Sequence, residues 1–111
     1  MLPTLGRWVA ARRRSRVFGE IFRTNFWGGS TSVSGPGSDL EQTAVIRAAI
    51  PPLLARHGIR TILDAPCGDF HWMQHVPLPG IHYTGVDIVP ALIARDQASY
   101  GCTERRFALC D

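Results

Sequence analysis

Arg60-Thr-Ile-Leu-Asp-Ala-Pro-Cys-Gly-Asp-Phe70 is the stretch on which the fold turns. Thr61, Ile62 and Leu63 are β-branched or apolar and predict a short strand, Thr61 to Ala65, covered on both faces as in a parallel sheet. Pro66 holds Ala65 extended and ends the strand, and Gly68 can adopt backbone angles closed to other residues. His71 to Val76 predicts a short helix that Pro77 and Pro79 stop. A strand, a glycine turn and a helix start, in that order, aim unpaired backbone N–H groups at whatever occupies the turn.

The charges in the turn select the occupant. Asp64 ends the strand and Asp69 sits inside the turn. A dinucleotide pyrophosphate calls for bare glycines and the positive end of a helix dipole, and two carboxylates would repel it. A ligand carrying an ammonium and a sulfonium is attracted instead, by a few kcal/mol per contact at an effective dielectric constant of about 20. S-adenosylmethionine has that pair of charges.

Two more strands continue the pattern. Tyr83 to Val89 predicts a second strand, with Asp87 toward its end where a carboxylate can accept ribose hydroxyls. Phe107 to Cys110 predicts a third, followed by Asp111. With these acids in place, the segment 60–111 resembles the first half of a class I S-adenosylmethionine-dependent methyltransferase. The resemblance extends less fully back to Phe22. It rests on Asp64-Ala-Pro-Cys-Gly-Asp-Phe70 together with Asp87 and the strand spacing, and departs from the family in having Pro66 and Phe70 where glycines often stand. It implies that Asp64 and Gly68 hold the methionine end of the cofactor, within a turn formed by Ala65, Pro66, Cys67 and Asp69. Asp87, with Ile88 beside it, would meet the ribose, and Asp111 the adenine amino group. The implied fold is α/β, a partial Rossmann-like sheet of three parallel strands in the order 3-2-1 with helices on both faces. Residues in the family that handle the methyl acceptor follow the fourth strand and later elements, so residues 39–111 match the N-terminal half of such a domain and the acceptor stays open.

Composition agrees with one small globular domain. The chain has 111 residues, 45% of them hydrophobic, and a net charge of +3 from twelve arginines and no lysine against nine acids. Residues 1–23 carry six arginines and one acid, Glu20, for a local charge of +5, whereas residues 24–111 balance at −2. A basic arm of this kind fits an RNA or membrane-surface contact, but no aromatic-basic nucleic-acid motif accompanies it, and a solvated arginine-rich helix is the preferred reading. Met1 to Ala11 has no uninterrupted apolar run, so neither a secretory signal nor a membrane anchor is expected. Three cysteines, Cys67, Cys102 and Cys110, without a signal peptide predict reduced thiols and a cytoplasmic protein.

Along the chain, residues 6–27 predict an amphipathic helix with Phe18, Ile21 and Phe22 at helical spacing. Residues 28–38 have a linker's composition, although with Trp27 they could also close over a bound ligand. Ser38-Asp-Leu-Glu41 has the spacing of a capping box for a helix carrying Ile46, Ile50, Leu53 and Leu54 on one face. Pro51 and Pro52 should kink or restart that helix, and Gly58 should end it. Pro90 and Gly101 bound the next helix.

Other chemistry is weaker. Cys67, His71 and His75 have i, i+4 spacing, but no fourth ligand is apparent and no metal site is expected. Cys67 has no base-and-orienter pair and reads as a small packing residue rather than a nucleophile. The alternatives to a methyltransferase are a catalytically silent binding or interaction module and, behind it, a nicotinamide-dependent enzyme. An unpaired first strand would also present an open sheet edge, so self-association is expected of this chain alone.

Overall fold

The computed structural model describes residues 36–110; the predicted helix over 6–27, the Gly/Ser stretch as far as residue 35 and Asp111 lie outside the described residues. A 3-10 turn at Pro36–Ser38 leads to helix α1 (Ala44–His57) and strand β1 (Thr61–Asp64). A second 3-10 turn (Met73–His75), strand β2 (His82–Asp87), helix α2 (Pro90–Tyr100) and strand β3 (Arg105–Leu109) follow. The architecture is α/β. Its sheet is parallel throughout, with β2 between β1 and β3, which is the predicted order. In register, Ile62 lies beside Tyr83 and Tyr83 beside Arg105; two residues on, Asp64 lies beside Gly85 and Gly85 beside Phe107.

Helix α1 departs from its prediction at two places. It starts at Ala44, after Thr43, and the capping box at Ser38–Glu41 does not form. The Thr43 N–H and hydroxyl both donate to the Asp39 carbonyl, and Arg47 Nη2 donates to the Leu40 carbonyl at 2.6 Å. These bonds pin the preceding turn and delay the helix. Pro51 and Pro52 both lie inside one continuous helix. The prolines leave the carbonyls of Arg47 and Ala48 without an intrahelical donor, and the exposed position of Ala48 lets water serve there. Gly58, at φ 61°, closes the helix in the left-handed conformation, with the Ile59 N–H donating to the Leu54 carbonyl. Only part of the expected apolar stripe faces inward: Leu54 is buried and Ile50 packs on the core, while Ile46 and Leu53 are exposed. Helix α2 begins at Pro90 and ends before Gly101, as predicted. Between the strands, the helix expected over His71 to Val76 shrinks to the single turn Met73–His75.

The core lies on one face of the sheet. Phe70, Met73, Val76, Tyr83, Ile93 and Phe107 form it, with Ile50, Ile62 and Trp72 packed around them. The expectation of helices on both faces, and of a β1 covered on both sides, is corrected. Among the described residues the opposite face is bare, with Leu63 70% exposed and Arg106 and Ala108 open to solvent. Ile62 and Asp64 turn inward while Thr61 and Leu63 turn outward. An apolar run as short as Thr-Ile-Leu carries no periodicity from which that alternation could be read.

Candidate functional site

Everything at the C-terminal ends of β1 and β2 converges on the turn that follows β1. The Ala65–Pro66 peptide is cis. The Cys67 N–H donates to the Val86 carbonyl at 2.9 Å, laying the turn against the end of β2. Gly85 permits this approach: a Cβ there would stand 2.8 Å from Phe107 Cδ1 and 3.0 Å from Cys67 Cβ. Gly68 has φ 59°, the left-handed conformation that glycine takes without strain, as the sequence requires of a tight turn. Phe70 adopts the same conformation at φ 61°. Phe70, one of the two positions at which the resemblance would lead one to expect glycine, therefore keeps a glycine's backbone.

Phe70 tolerates that conformation because its ring is an anchor. It is 1% exposed, and its centroid lies 5.2 Å from Tyr83, 5.0 Å from Tyr100 and 5.2 Å from Phe107. The Arg105 guanidinium sits 5.0 Å over its ring. The turn is thus clamped on both sides of Asp69, whose Oδ1 accepts from the His71 N–H at 3.1 Å.

Asp87 holds the other end of the site. Its Oδ2 accepts the Gly68 N–H at 3.1 Å, and its Oδ1 accepts the N–H groups of Ile88 at 2.7 Å and Val89 at 3.3 Å. One side chain therefore ties the turn after β1 to the start of α2. An ionised carboxylate offers about four acceptor positions, so three bonds leave room for one more. Asp64 accepts the Tyr83 hydroxyl at 2.7 Å. Burial, and behind it the charge of Asp87, raises the Asp64 carboxyl above its usual range, against the lowering effect of the Tyr83 bond. The Tyr83 phenol is pushed up by burial and by Asp64, so it stays a donor.

Burial, then Asp96, Asp87 and Asp64, pushes the Cys67 thiol up to about 12. At neutral pH it is a thiol held against the turn, which supports a packing role over a nucleophilic one. Asp96, on α2, was not singled out by the sequence reading. It is 1% exposed, and its Oδ2 lies 3.9 Å from Cys67 Sγ. The signal was present, because Leu92, Ile93 and Asp96 fall on one helical face and an acid on an apolar stripe marks a special contact.

The structure brings Asp64, Cys67, Gly68, Asp69, Asp87 and Ile88 together around the turn. Asp111 lies outside the described residues. Cys67, Cys102 and Cys110 form no disulfide with one another. Among the described residues no three His, Cys, Asp or Glu side chains are grouped to hold a metal ion, and no helix is long and apolar enough to cross a membrane. A groove bounded by Thr61, Leu63, His82, Thr84, Glu104 and Arg106 lies at the opposite ends of the strands, away from these acids. The His71 Nε2 is buried without a hydrogen-bond partner among the described residues. No protein-family model, curated protein or solved structure matches this chain.

Proposed function

We propose that residues 39–111 form the cofactor-binding part of a Rossmann-like S-adenosylmethionine-dependent methyltransferase. The observation that carries the reading is the bond from the Gly68 N–H to Asp87. It joins the glycine turn after β1 to the acid ending β2, at the carboxyl ends of parallel strands where open α/β sheets take their ligands. The residues present fit a cationic ligand. Asp64, Asp69, Asp87 and Asp96 act electrostatically on one another or on Cys67 around a single turn, and the repulsion among these acids favours added positive charge. A pyrophosphate would meet the same field as repulsion.

In this reading Asp64 and Asp69 attract the amino-acid end of the ligand, and the Gly68 backbone approaches it closely. Asp87 has one acceptor position open to a ribose hydroxyl, and a ligand that takes over the Gly68 N–H frees a second. When bound, the cofactor supplies a methyl group on a sulfonium for transfer to a nucleophile. The protein's contribution to such a reaction is alignment and exclusion of water more than proton transfer. The raised Cys67 thiol agrees with that division of labour, since it supplies no thiolate at the turn.

Isothermal titration calorimetry of the full chain with S-adenosylmethionine, S-adenosylhomocysteine and NAD tests the reading. Binding of the first two with no heat from NAD is the expected result. NAD binding tighter than either would overturn the reading.

A further inference from the structure

Asp96 is the one described acid on the core-facing stripe of a helix, beside Leu92 and Ile93. At 1% exposure its carboxyl has almost no contact with water. Its hydrogen-bond contact is the Cys67 thiol at 3.9 Å, a weak donor at long range, and no arginine or histidine among the described residues forms an ion pair with it. Burying a carboxylate on such terms is costly, and the ordinary outcome is that the group takes up a proton instead.

The surroundings act in both directions. Asp69 from the turn and Asp87 from β2 add negative charge, while Arg95 on its own helix and the Cys67 contact oppose them. Asp96 adds to the load on Tyr83 of β2, and Asp64 of β1 presses on the same Cys67 thiol. Burial first and Asp69 next push the Asp96 carboxyl up to about 7. The group therefore changes charge near neutrality, directly behind the residue whose backbone forms the turn.

We infer that Asp96 is a charge-reading residue of the proposed cofactor site: it loses its proton when a sulfonium occupies the turn and regains it when the ligand there is a thioether. The inference rests on the cofactor reading given under the proposed function. S-adenosylmethionine and S-adenosylhomocysteine differ by one methyl group and one positive charge, so a buried acid in proton exchange can favour the first over the second. Linkage is reciprocal: if a cation drives off the Asp96 proton, loss of that proton strengthens the cation's binding by the same factor.

The experiment is calorimetry of the full chain with both ligands at pH 6 and pH 8, in the unaltered protein and in Asp96→Asn. The preference for S-adenosylmethionine should rise by about fivefold or more between the two pH values, the lower end of an ordinary coupling between sites. In Asp96→Asn the rise should vanish, and comparing the two proteins cancels the ligands' own titration and that of the histidines. Equal preference at both pH values, or the same rise in Asp96→Asn, overturns the role of Asp96 and leaves the cofactor reading standing. Failure of both ligands to bind at either pH overturns both. A carboxyl carbon NMR titration of the unaltered protein decides the matter should the variant not fold. With each ligand bound in turn, a lower Asp96 midpoint under S-adenosylmethionine than under S-adenosylhomocysteine supports the inference, and equal midpoints, or one at about 4 without ligand, overturn it.

Discussion

Replacing Phe70 by glycine should damage this protein less than replacing it by alanine. The usual order is the reverse, because glycine surrenders more backbone entropy on folding. Phe70 stands at φ 61°, so the usual order does not apply. Truncating its ring removes a buried side chain from contact with Tyr83, Tyr100 and Phe107. Loss of burial and the cavity left behind cost about 3–5 kcal/mol for Phe→Ala. Alanine then keeps the Cβ that makes the left-handed region unfavourable by about 1–2 kcal/mol, and glycine does not. The two variants share the cavity, so their difference isolates the backbone term. After subtracting glycine's own entropic cost of about 0.5–1 kcal/mol, Phe70→Gly should be the more stable by up to about 1.5 kcal/mol. Urea unfolding followed by tryptophan fluorescence measures it. Because either loss is a large fraction of the stability of a small domain, Phe70→Leu serves as a milder reference. Phe70→Ala proving more stable than Phe70→Gly would refute the argument, and with it the claim that packing of the ring offsets a strained turn.

Other expectations concern the site and its supports. Asp87→Ala should lower cofactor affinity by about 1.5–3 kcal/mol, the range for hydrogen bonds to a charged group, and calorimetry showing unchanged affinity with the fold intact would remove Asp87 from the ribose role. Gly85→Ala should destabilise the fold by about 1–3 kcal/mol, since the added methyl meets Phe107 and Cys67 at contact distances neither can easily relieve; a melting temperature equal to the parent's would contradict it. The raised Asp96 and Asp64 carboxyls bind more protons folded than unfolded, so their contribution is fully present below about pH 4 and falls as pH rises, that of Asp96 being lost toward pH 7. Asp96→Asn should remove a slope of at most about 1.4 kcal/mol per pH unit from the stability profile between those limits, and an unchanged profile would count against the buried acid. Among the described residues no strand pairs with the outer edge of β1, which predicts concentration-dependent association of the chain with itself; light scattering showing a monomer throughout would exclude it.

Which parts of this architecture the sequence discloses depends on whether the deciding force is local. Gly58, Gly101 and Pro90 act on their own backbone, and the boundaries they mark are where the residues place them. The parallel sheet follows from the alternation of strand and helix, and β2 lies between its neighbours in the order that the resemblance implies. The capping box fails because Thr43, two residues past its Glu41, finds better partners in Asp39, and Arg47 reinforces it from the next turn. Pro51 and Pro52 stay within one helix whose stranded carbonyls belong to half-buried Arg47 and exposed Ala48, a matter of tertiary placement. The bare sheet face is likewise invisible in a four-residue strand, whose alternation is set by what packs against it.

The site shows the same division more sharply. Acids at strand ends can be recognised one by one, and Asp64, Asp69 and Asp87 are found where strand, turn and glycine place them. Their relations to one another cannot be read that way. Asp87 spends three acceptor positions on backbone N–H groups, two of them from the residues just after it and one from nineteen residues earlier. The first two follow from any acid at the end of a strand before a helix; the third exists only because parallel pairing sets Asp64 beside Gly85 and brings the turn alongside. Asp96 depends on that pairing as well. Its carboxyl meets Cys67 across twenty-nine residues, because the helix after β2 folds back over the turn after β1. A residue whose charge is decided by such a contact looks, in the sequence, like any aspartate on an amphipathic helix. What separates it is its position on the apolar stripe, where an acid must either find a cation or keep its proton. Arg95 on its own helix opposes that cost, but among the described residues no ion pair forms with it. Its proton is therefore held on terms that a positive charge arriving at the turn would change.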